Sequence, residues 1–155
     1  MTRIQVLGIG SPFGDDRAGW RAVEALRQSA ALEGLPRGAL ALHILDRPGV
    51  NLIRYLAGAE RVIIVDAARG SGPPGTLRRW DGAALLDPGE IFSSHGAGVA
   101  AALRLAAALG PLPDIAVHGI EVADVGMEAA LSQPVAAALP RLIRRIETEI
   151  REAIA

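Results

Sequence analysis

The sequence predicts an α/β fold in which a mostly parallel β-sheet is covered on both faces by helices. Apolar, β-rich segments alternate along the chain with segments whose apolar residues recur at helical spacing, the pattern typical of such sheets. The chain has 155 residues, of which 50% are hydrophobic. That is enough for one buried core and too short for two ordinary domains. We therefore expect a single domain that spans residues 1–155.

The first half of the chain contains three predicted strands. The first covers residues 4–8, and a helix follows from residue 16 to about residue 29. The second strand covers residues 40–45 and the third covers residues 61–66, with a short helix around residues 52–56 between them. The third strand is the most uniformly apolar of all, which predicts that it lies at the centre of the sheet.

The second half begins with a loop at residues 70–75, where three Gly and two Pro are concentrated. A short strand over residues 76–80 follows and is predicted to lie at an edge of the sheet. A helix over residues 95–109, a strand over residues 115–121 and a last helix from residue 134 onward complete the pattern.

Composition excludes several classes of function. The 16 basic and 17 acidic residues nearly cancel, and no block of like charge suits a nucleic acid or an anionic membrane. Because Cys is absent, disulfides, thiol nucleophiles and thiolate metal sites are excluded, and any metal site must use His and carboxylates. No signal peptide is recognisable, and the longest apolar segment, residues 97–109, contains Arg104 and is too short to span a membrane. We expect a cytoplasmic protein that binds neither nucleic acid nor membrane.

Chemically capable residues follow the predicted strands. Asp15 and Asp16 come after the first strand, Asp66 ends the third, and His95 lies just ahead of a long helix. Ligands of open α/β sheets bind beyond the carboxyl ends of the strands, so Asp16, Asp66 and His95 are expected to converge on one solvent-accessible cleft. Two carboxylates and one imidazole can hold a divalent ion and leave positions open for water or a substrate carbonyl.

Each of these residues also has a purely structural interpretation. A carboxylate after a strand can cap the following helix, which is the role we assign to Asp15. Asp66 alone could form an Asx-turn, and His95 alone could be a surface residue. His43 and His118 lie within predicted strands and are interpreted as structural. The metal-site hypothesis therefore depends on the combination of residues.

A dinucleotide site is the competing interpretation of the first turn. Gly8-Ile9-Gly10-Ser11-Pro12-Phe13 joins a strand to a helix, but Phe13 stands where the third Gly of the dinucleotide motif belongs. A pyrophosphate binds to free backbone N–H groups at the start of the helix, but in this chain two Asp residues occupy that position. Asp46 ends the second strand, farther along than the usual ribose-binding acid.

Taken together, the motifs resemble those of the nickel–iron hydrogenase maturation proteases. They fall in that family's order and spacing over nearly the whole chain. The matching segments are Val6-Leu7-Gly8-Ile9-Gly10, Gly14-Asp15-Asp16 with Gly19, Val62-Ile63-Ile64-Val65-Asp66-Ala67, Ser93-Ser94-His95-Gly96, Gly119-Ile120-Glu121, and Leu131-Ser132 with Pro134.

The resemblance implies a three-layer α/β/α sandwich whose five-stranded sheet is mostly parallel, with the fourth strand antiparallel. It maps the family's metal-binding and catalytic positions onto Asp16, Asp66 and His95. One departure is the segment 46–51, which replaces the family's glycine–threonine turn and bears on the choice of substrate.

The function that the resemblance implies is that of an endopeptidase. It would remove the C-terminal extension of a nickel–iron hydrogenase large-subunit precursor after nickel insertion, recognising nickel that the precursor carries. Independently of the resemblance, we expect a monomer. Two alternatives stay open at this point. One is a nickel-binding maturation chaperone that does not cleave, and the other is a nucleotide-binding α/β enzyme.

Overall fold

The computed structural model describes residues 3–69, 72–86, 94–123 and 130–154, with the backbone alone for residues 94–97. Its five strands are Ile4–Gly10 (β1), Leu40–Asp46 (β2), Arg61–Ala68 (β3), Leu77–Asp81 (β4) and Asp114–Glu121 (β5). The α-helices in this part of the chain are Ala18–Arg27 (α1), Gly82–Leu85 (α2), Ser94–Leu109 (α3) and Gln133–Ile154 (α4). Short 3₁₀ helices cover Gly14–Arg17, Ala30–Leu32 and Gly49–Tyr55.

The strands form one mixed sheet in the order β2-β1-β3-β5-β4. β1 pairs in parallel with β2 and β3, and β3 pairs in parallel with β5. β4 lies at the edge and pairs with β5 in the antiparallel direction. The predicted five-stranded, mostly parallel sheet with one antiparallel edge strand is therefore confirmed, as is the central position of β3.

Two apolar cores lie on opposite faces of the sheet. Ile63 and Val65 of β3 belong to the core formed with α1 and α4. Val62 and Ile64 belong to the other core, which includes α3, α2 and part of the 3₁₀ segment Gly49–Tyr55. Because each face of β3 is covered, its side chains are apolar at successive positions instead of alternating. This arrangement is the predicted α/β/α sandwich.

The last helix, α4, is amphipathic along its whole length. The residues on its inner face are fully or almost fully buried: Val135, Ala138, Leu142, Ile146 and Ile150. They recur every three or four residues, which places them on one stripe of the helix. The outer face carries exposed arginines, and Pro140 also lies on this exposed side.

The structure corrects several boundaries. β1 and β3 each continue two residues beyond the prediction, so Asp66 lies within β3 and is not its last residue. The pairs Asp66↔Gly119 and Ala68↔Glu121 extend the strand, because a neighbouring strand supplies hydrogen bonds that local sequence does not reveal. Residues 14–17 form a 3₁₀ turn, so α1 begins at Ala18 and not at residue 16.

Among the helices that the structure describes, none is at once long and apolar enough to cross a lipid bilayer.

Candidate functional site

Two buried carboxylates meet near the carboxyl ends of β1 and β3. Asp16 lies in the 3₁₀ turn after β1, and this turn packs beside β3, which carries Asp66. The two residues are only 4% and 3% exposed, so both carboxylates are buried. Burial raises the pKa of Asp66 well above its ordinary value, a hydrogen bond from Ala67 opposes this, and the charge of Asp16 raises it further. The two groups are therefore close enough to interact electrostatically.

Asp16 is held by residues at the end of β1 that precede its turn. The Ser11 hydroxyl donates a hydrogen bond to Oδ2 of Asp16, and the Ser11 N–H donates to the Asp16 carbonyl at 3.3 Å. A Cβ atom on Gly10 would lie 2.1 Å from that carbonyl oxygen, so only glycine fits there. The sequence alone does not predict this role of Ser11 and Gly10, because both contacts form only when the turn folds back onto the end of β1.

Gly19 explains why α1 approaches the sheet so closely. A Cβ atom at this position would lie 2.5 Å from the Ile9 carbonyl oxygen and 2.6 Å from that of Val65. The absence of a side chain lets the first turn of α1 rest directly on β1 and β3. Gly8, the first glycine of the segment that suggests a dinucleotide motif, serves the same packing, because a Cβ atom there would lie 2.5 Å from the Gly19 carbonyl oxygen.

A cleft of about 230 Å³ opens beside Asp66. Its walls are the end of β1 at Ile9 and Gly10, the segment 47–49 after β2, and Gly98 and Val99 of α3. Oδ1 of Asp66 accepts a hydrogen bond from the Ala67 N–H at 2.8 Å, whereas the buried Oδ2 has no partner among the described residues. Such an atom is available to a ligand.

The third predicted ligand, His95, is the second residue of α3. Its side chain lies outside what the structure describes, so its convergence with Asp16 and Asp66 stays a prediction. Positions 95, 98 and 99 share one face of a helix, and positions 98 and 99 line the cleft. Among the described side chains, no three His, Asp or Glu residues form a group that could hold a metal ion.

Asp15 has a different role from the helix cap that the sequence predicted. Its Oδ1 accepts a hydrogen bond from the Ser132 N–H at 2.6 Å, and its Oδ2 accepts from the Ala123 N–H at 3.0 Å and the Ser132 hydroxyl at 2.7 Å. The side chain is buried and ties the first turn to the end of β5 and the start of α4. No sequence signal links residues that are more than 100 positions apart.

Two buried carboxylates in this turn also argue against a pyrophosphate site.

Arg47 brings a positive charge to the rim of the cleft. It has a φ of 42°, which is uncommon for a residue other than glycine. Its Nε donates to Oδ1 of Asp46 at 2.7 Å, and its guanidinium lies 6.0 Å from the centre of the Phe13 ring. The hydrogen bond to Asp46 and the charge of that residue raise the pKa of Arg47, and the charge of Asp16 adds to this. The variant segment 46–51 therefore places a cation near the two carboxylates.

The other two histidines have structural partners. His43 on β2 hydrogen-bonds through Nε2 to the Gln5 side chain and packs edge-on against Tyr55. Nε2 of His118 lies 2.6 Å from Oε2 of Glu149 on α4. Both contacts agree with the structural role that the sequence analysis gave these residues.

Comparison with known proteins gives one consistent result. The family model described as hydrogenase maturation protease matches residues 21–149, a range that includes Asp66 and His95. The hydrogenase expression/formation protein HupD of Thiocapsa roseopersicina is 32% identical over 134 residues, which cover 79% of this chain. The match spans only 57% of the length of that relative.

Solved structures share the fold over almost the whole chain. The hydrogenase maturating endopeptidase HybD from Escherichia coli superposes with a TM-score of 0.79 at 26% identity, covering 98% of this chain and 94% of its own. The [NiFe] hydrogenase maturation protease HybD from Thermococcus kodakarensis superposes with a TM-score of 0.74 at 24% identity, covering 96% and 99%. The chain belongs to the hydrogenase maturation protease family.

Proposed function

We propose that this protein is an endopeptidase that removes the C-terminal extension from the large-subunit precursor of a nickel–iron hydrogenase after nickel insertion. The observation that carries the proposal is the pair of buried, interacting carboxylates Asp16 and Asp66 beside an open cleft. Family membership supplies the reaction class, and the site supplies residues suited to it.

The two carboxylates are suited to bind a divalent metal ion. Burial is the main reason why the pKa of Asp66 is raised, and the nearby charge of Asp16 adds to it, so two ionised carboxylates are unfavourable here. A cation bound by both would remove this cost, and Oδ2 of Asp66 is a buried acceptor with no donor among the described residues. His95 at the start of α3 would supply the imidazole ligand. Oxygen and nitrogen ligands of this kind can bind both nickel and zinc.

In this proposal the nickel arrives as part of the substrate. Asp16, Asp66 and His95 bind nickel that the precursor already carries and so fix the precursor with its scissile bond at the cleft. Water adds to the scissile carbonyl carbon, a carboxylate accepts the proton of the water, the C–N bond breaks and the amine leaves with a proton. Arg47 at the rim contacts the part of the precursor that enters the cleft.

The experiment is incubation of the purified full-length protein with a purified, nickel-loaded large-subunit precursor, followed by mass spectrometry of the precursor. We expect a single cleavage near its C-terminus and the release of one intact peptide. Asp16→Asn and Asp66→Asn should each abolish the cleavage. Asp114→Asn is the matched control, because Asp114 is an exposed carboxylate at the opposite end of the sheet and should leave the rate unchanged.

Binding without cleavage would overturn the proposal in favour of a nickel-binding chaperone. Cleavage that is equally fast in both site variants would show that the peptidase centre lies elsewhere. The two results are distinguished in one experiment, because mass spectrometry reports the product and co-elution on a sizing column reports binding.

A further inference from the structure

A groove rich in arginine lies away from the carboxylate cleft. We define the arginine groove by Arg61, Arg79, Arg141, Arg144 and Arg145, which line a depression of about 770 Å³. Arg61 is the first residue of β3, Arg79 lies on the edge strand β4, and the other three lie on α4.

The arginine groove is remote from the proposed peptidase site. Arg61 precedes Asp66 by five residues along β3, which corresponds to about 17 Å along an extended strand. His118, which also lines the groove, pairs with α4, whereas the carboxylate cleft is walled by α3 on the other face of the sheet. A ligand in the groove would leave the cleft open.

The floor of the groove is a fixed network around Glu149. Its Oε1 accepts from Arg79 at 2.6 Å and from Arg61 at 3.1 Å, and its Oε2 lies 2.6 Å from Nε2 of His118. Burial by itself would raise the pKa of Glu149, but the hydrogen bonds from His118 and Arg79 outweigh it and lower the pKa to about 2. Arg61 and Arg79 also pair with acids at the surface. These two cations are therefore neutralised within the fold.

The rim is different, because its cations have no partner in the described structure. The side chains of Arg141, Arg144 and Arg145 are exposed and make no hydrogen bond or ion pair with any described residue. Arg144 and Arg145 lie three and four positions after Arg141, so both like charges face Arg141 across one helical turn, which disfavours the helix. Three unneutralised arginines on one side of α4 indicate a surface shaped for a negatively charged partner.

The groove is elongated rather than compact. Arg141 and Arg145 also line an adjoining groove of about 500 Å³, which continues past Pro134 and Thr76. Together the two grooves follow α4 from Pro134 to Glu152, which corresponds to about 27 Å at a rise of about 1.5 Å per helical residue. An extended peptide of about eight residues has the same length.

We propose that the arginine groove binds an extended acidic segment of a partner protein. The rim arginines fit carboxylates that are spaced along a peptide, and each guanidinium can hold one carboxylate through two hydrogen bonds. Three rim arginines beside Glu152 leave a small net positive charge, which suits a few spaced carboxylates better than the continuous charge of a nucleic acid backbone. A concave groove between a helix and an edge strand does not fit a flat membrane surface.

The test is fluorescence anisotropy of a labelled acidic peptide of about eight residues, half of them Glu, titrated with the full-length protein at low salt. We expect saturable binding that weakens as salt is added, and no binding of the same peptide with Gln in place of Glu. The triple variant Arg141→Ala, Arg144→Ala, Arg145→Ala should bind the acidic peptide about tenfold more weakly. Circular dichroism should show an unchanged fold, because the three positions are exposed and alanine has the highest helix propensity of all residues.

The matched control removes three arginines from other parts of the protein surface. Arg21, Arg37 and Arg54 are exposed and lie outside the groove. The triple variant Arg21→Ala, Arg37→Ala, Arg54→Ala should retain the affinity of the natural protein. Equal weakening in both triple variants would overturn the proposal, since net charge alone would then explain binding. Tighter binding of a short DNA duplex or of phosphatidylserine vesicles than of the peptide would also overturn it. Neither nickel nor a hydrogenase is used, so the result is independent of the proposed peptidase function.

Discussion

At the scale of single residues, Asp66 is a carboxylate that the fold keeps out of water. Burial raises its pKa well above the ordinary value, and the charge of Asp16 adds to the effect. A carboxyl group with a raised pKa binds its proton more tightly in the folded state than in the unfolded state. The folded state therefore loses stability as the pH rises above the pKa of the unfolded chain, and the loss is complete above the folded pKa.

Asp66→Asn is expected to be more stable than the natural protein at neutral pH and inactive in processing. Asparagine keeps an oxygen for the Ala67 N–H and removes the buried charge, which should add about 1–3 kcal/mol to the free energy of unfolding. This difference in the free energy of unfolding should disappear as the pH falls through about 4. At that pH the Asp66 carboxyl group of the unfolded natural protein also takes up its proton. Urea unfolding on either side of that pH measures both effects. A variant destabilised at neutral pH would show that the carboxylate is structural.

The neighbouring residues show what sequence could and could not predict at this scale. Asp16 and Asp66 were identified because the carboxyl ends of parallel strands meet at one edge of a sheet, so strand order alone brings them together. The partners of Asp15 are Ala123 and Ser132, which only the folded chain places beside the first turn. Local sequence favours a helix cap for this residue, and tertiary contacts override that preference.

At the scale of elements, strand identity was easier to predict than strand length. The apolar runs of β1, β3 and β5 predict buried strands, because successive apolar positions are typical of strands covered on both faces. Their ends depend on pairing between strands, as at Asp66↔Gly119, which a single segment does not encode. The short helix α2 was not predicted, since four residues carry no periodic pattern.

The contrast between β3 and the start of α3 leads to a prediction about stability and activity. Val65 is fully buried in the central strand, so Val65→Asp places an unpaired charge in the core and should unfold the domain. His95 lies in the first turn of α3 and is predicted to bind a metal, so His95→Ala should fold normally and lose processing. Circular dichroism and thermal unfolding measure the fold, and mass spectrometry of the precursor measures processing.

The His95 prediction has a clear contrary result. If His95→Ala were as insoluble as Val65→Asp, the histidine would be structural and the three-residue site would be wrong. A well-folded His95→Ala that still processes the precursor would exclude His95 from the site while leaving Asp16 and Asp66 as candidates.

At the scale of the whole molecule, charge is segregated although it nearly cancels. The formal net charge is −1, yet two buried carboxylates lie at one end of the sheet and unpartnered arginines line α4 on another face. Counting charges in the sequence predicts no basic surface, because Arg141, Arg144 and Arg145 come together with Arg61 and Arg79 only when α4 packs against the sheet. Surface patterns of this kind depend on tertiary structure and are the hardest to predict from sequence.

The last prediction is that the precursor, and not the enzyme, brings the metal on which cleavage depends. Asp16, Asp66 and His95 offer three ligands without a thiolate, whereas structural metal sites commonly surround their ion with four. Three ligands should hold free nickel weakly, yet they could complete the coordination of nickel that the large subunit already binds. Cleavage would then wait until the metal is inserted, because only a loaded precursor is positioned at the cleft. The measurement presents metal-free enzyme with apo precursor and with nickel-loaded precursor, and we expect only the loaded form to be cleaved. Equal cleavage of both forms would exclude gating by nickel while leaving the peptidase assignment in place.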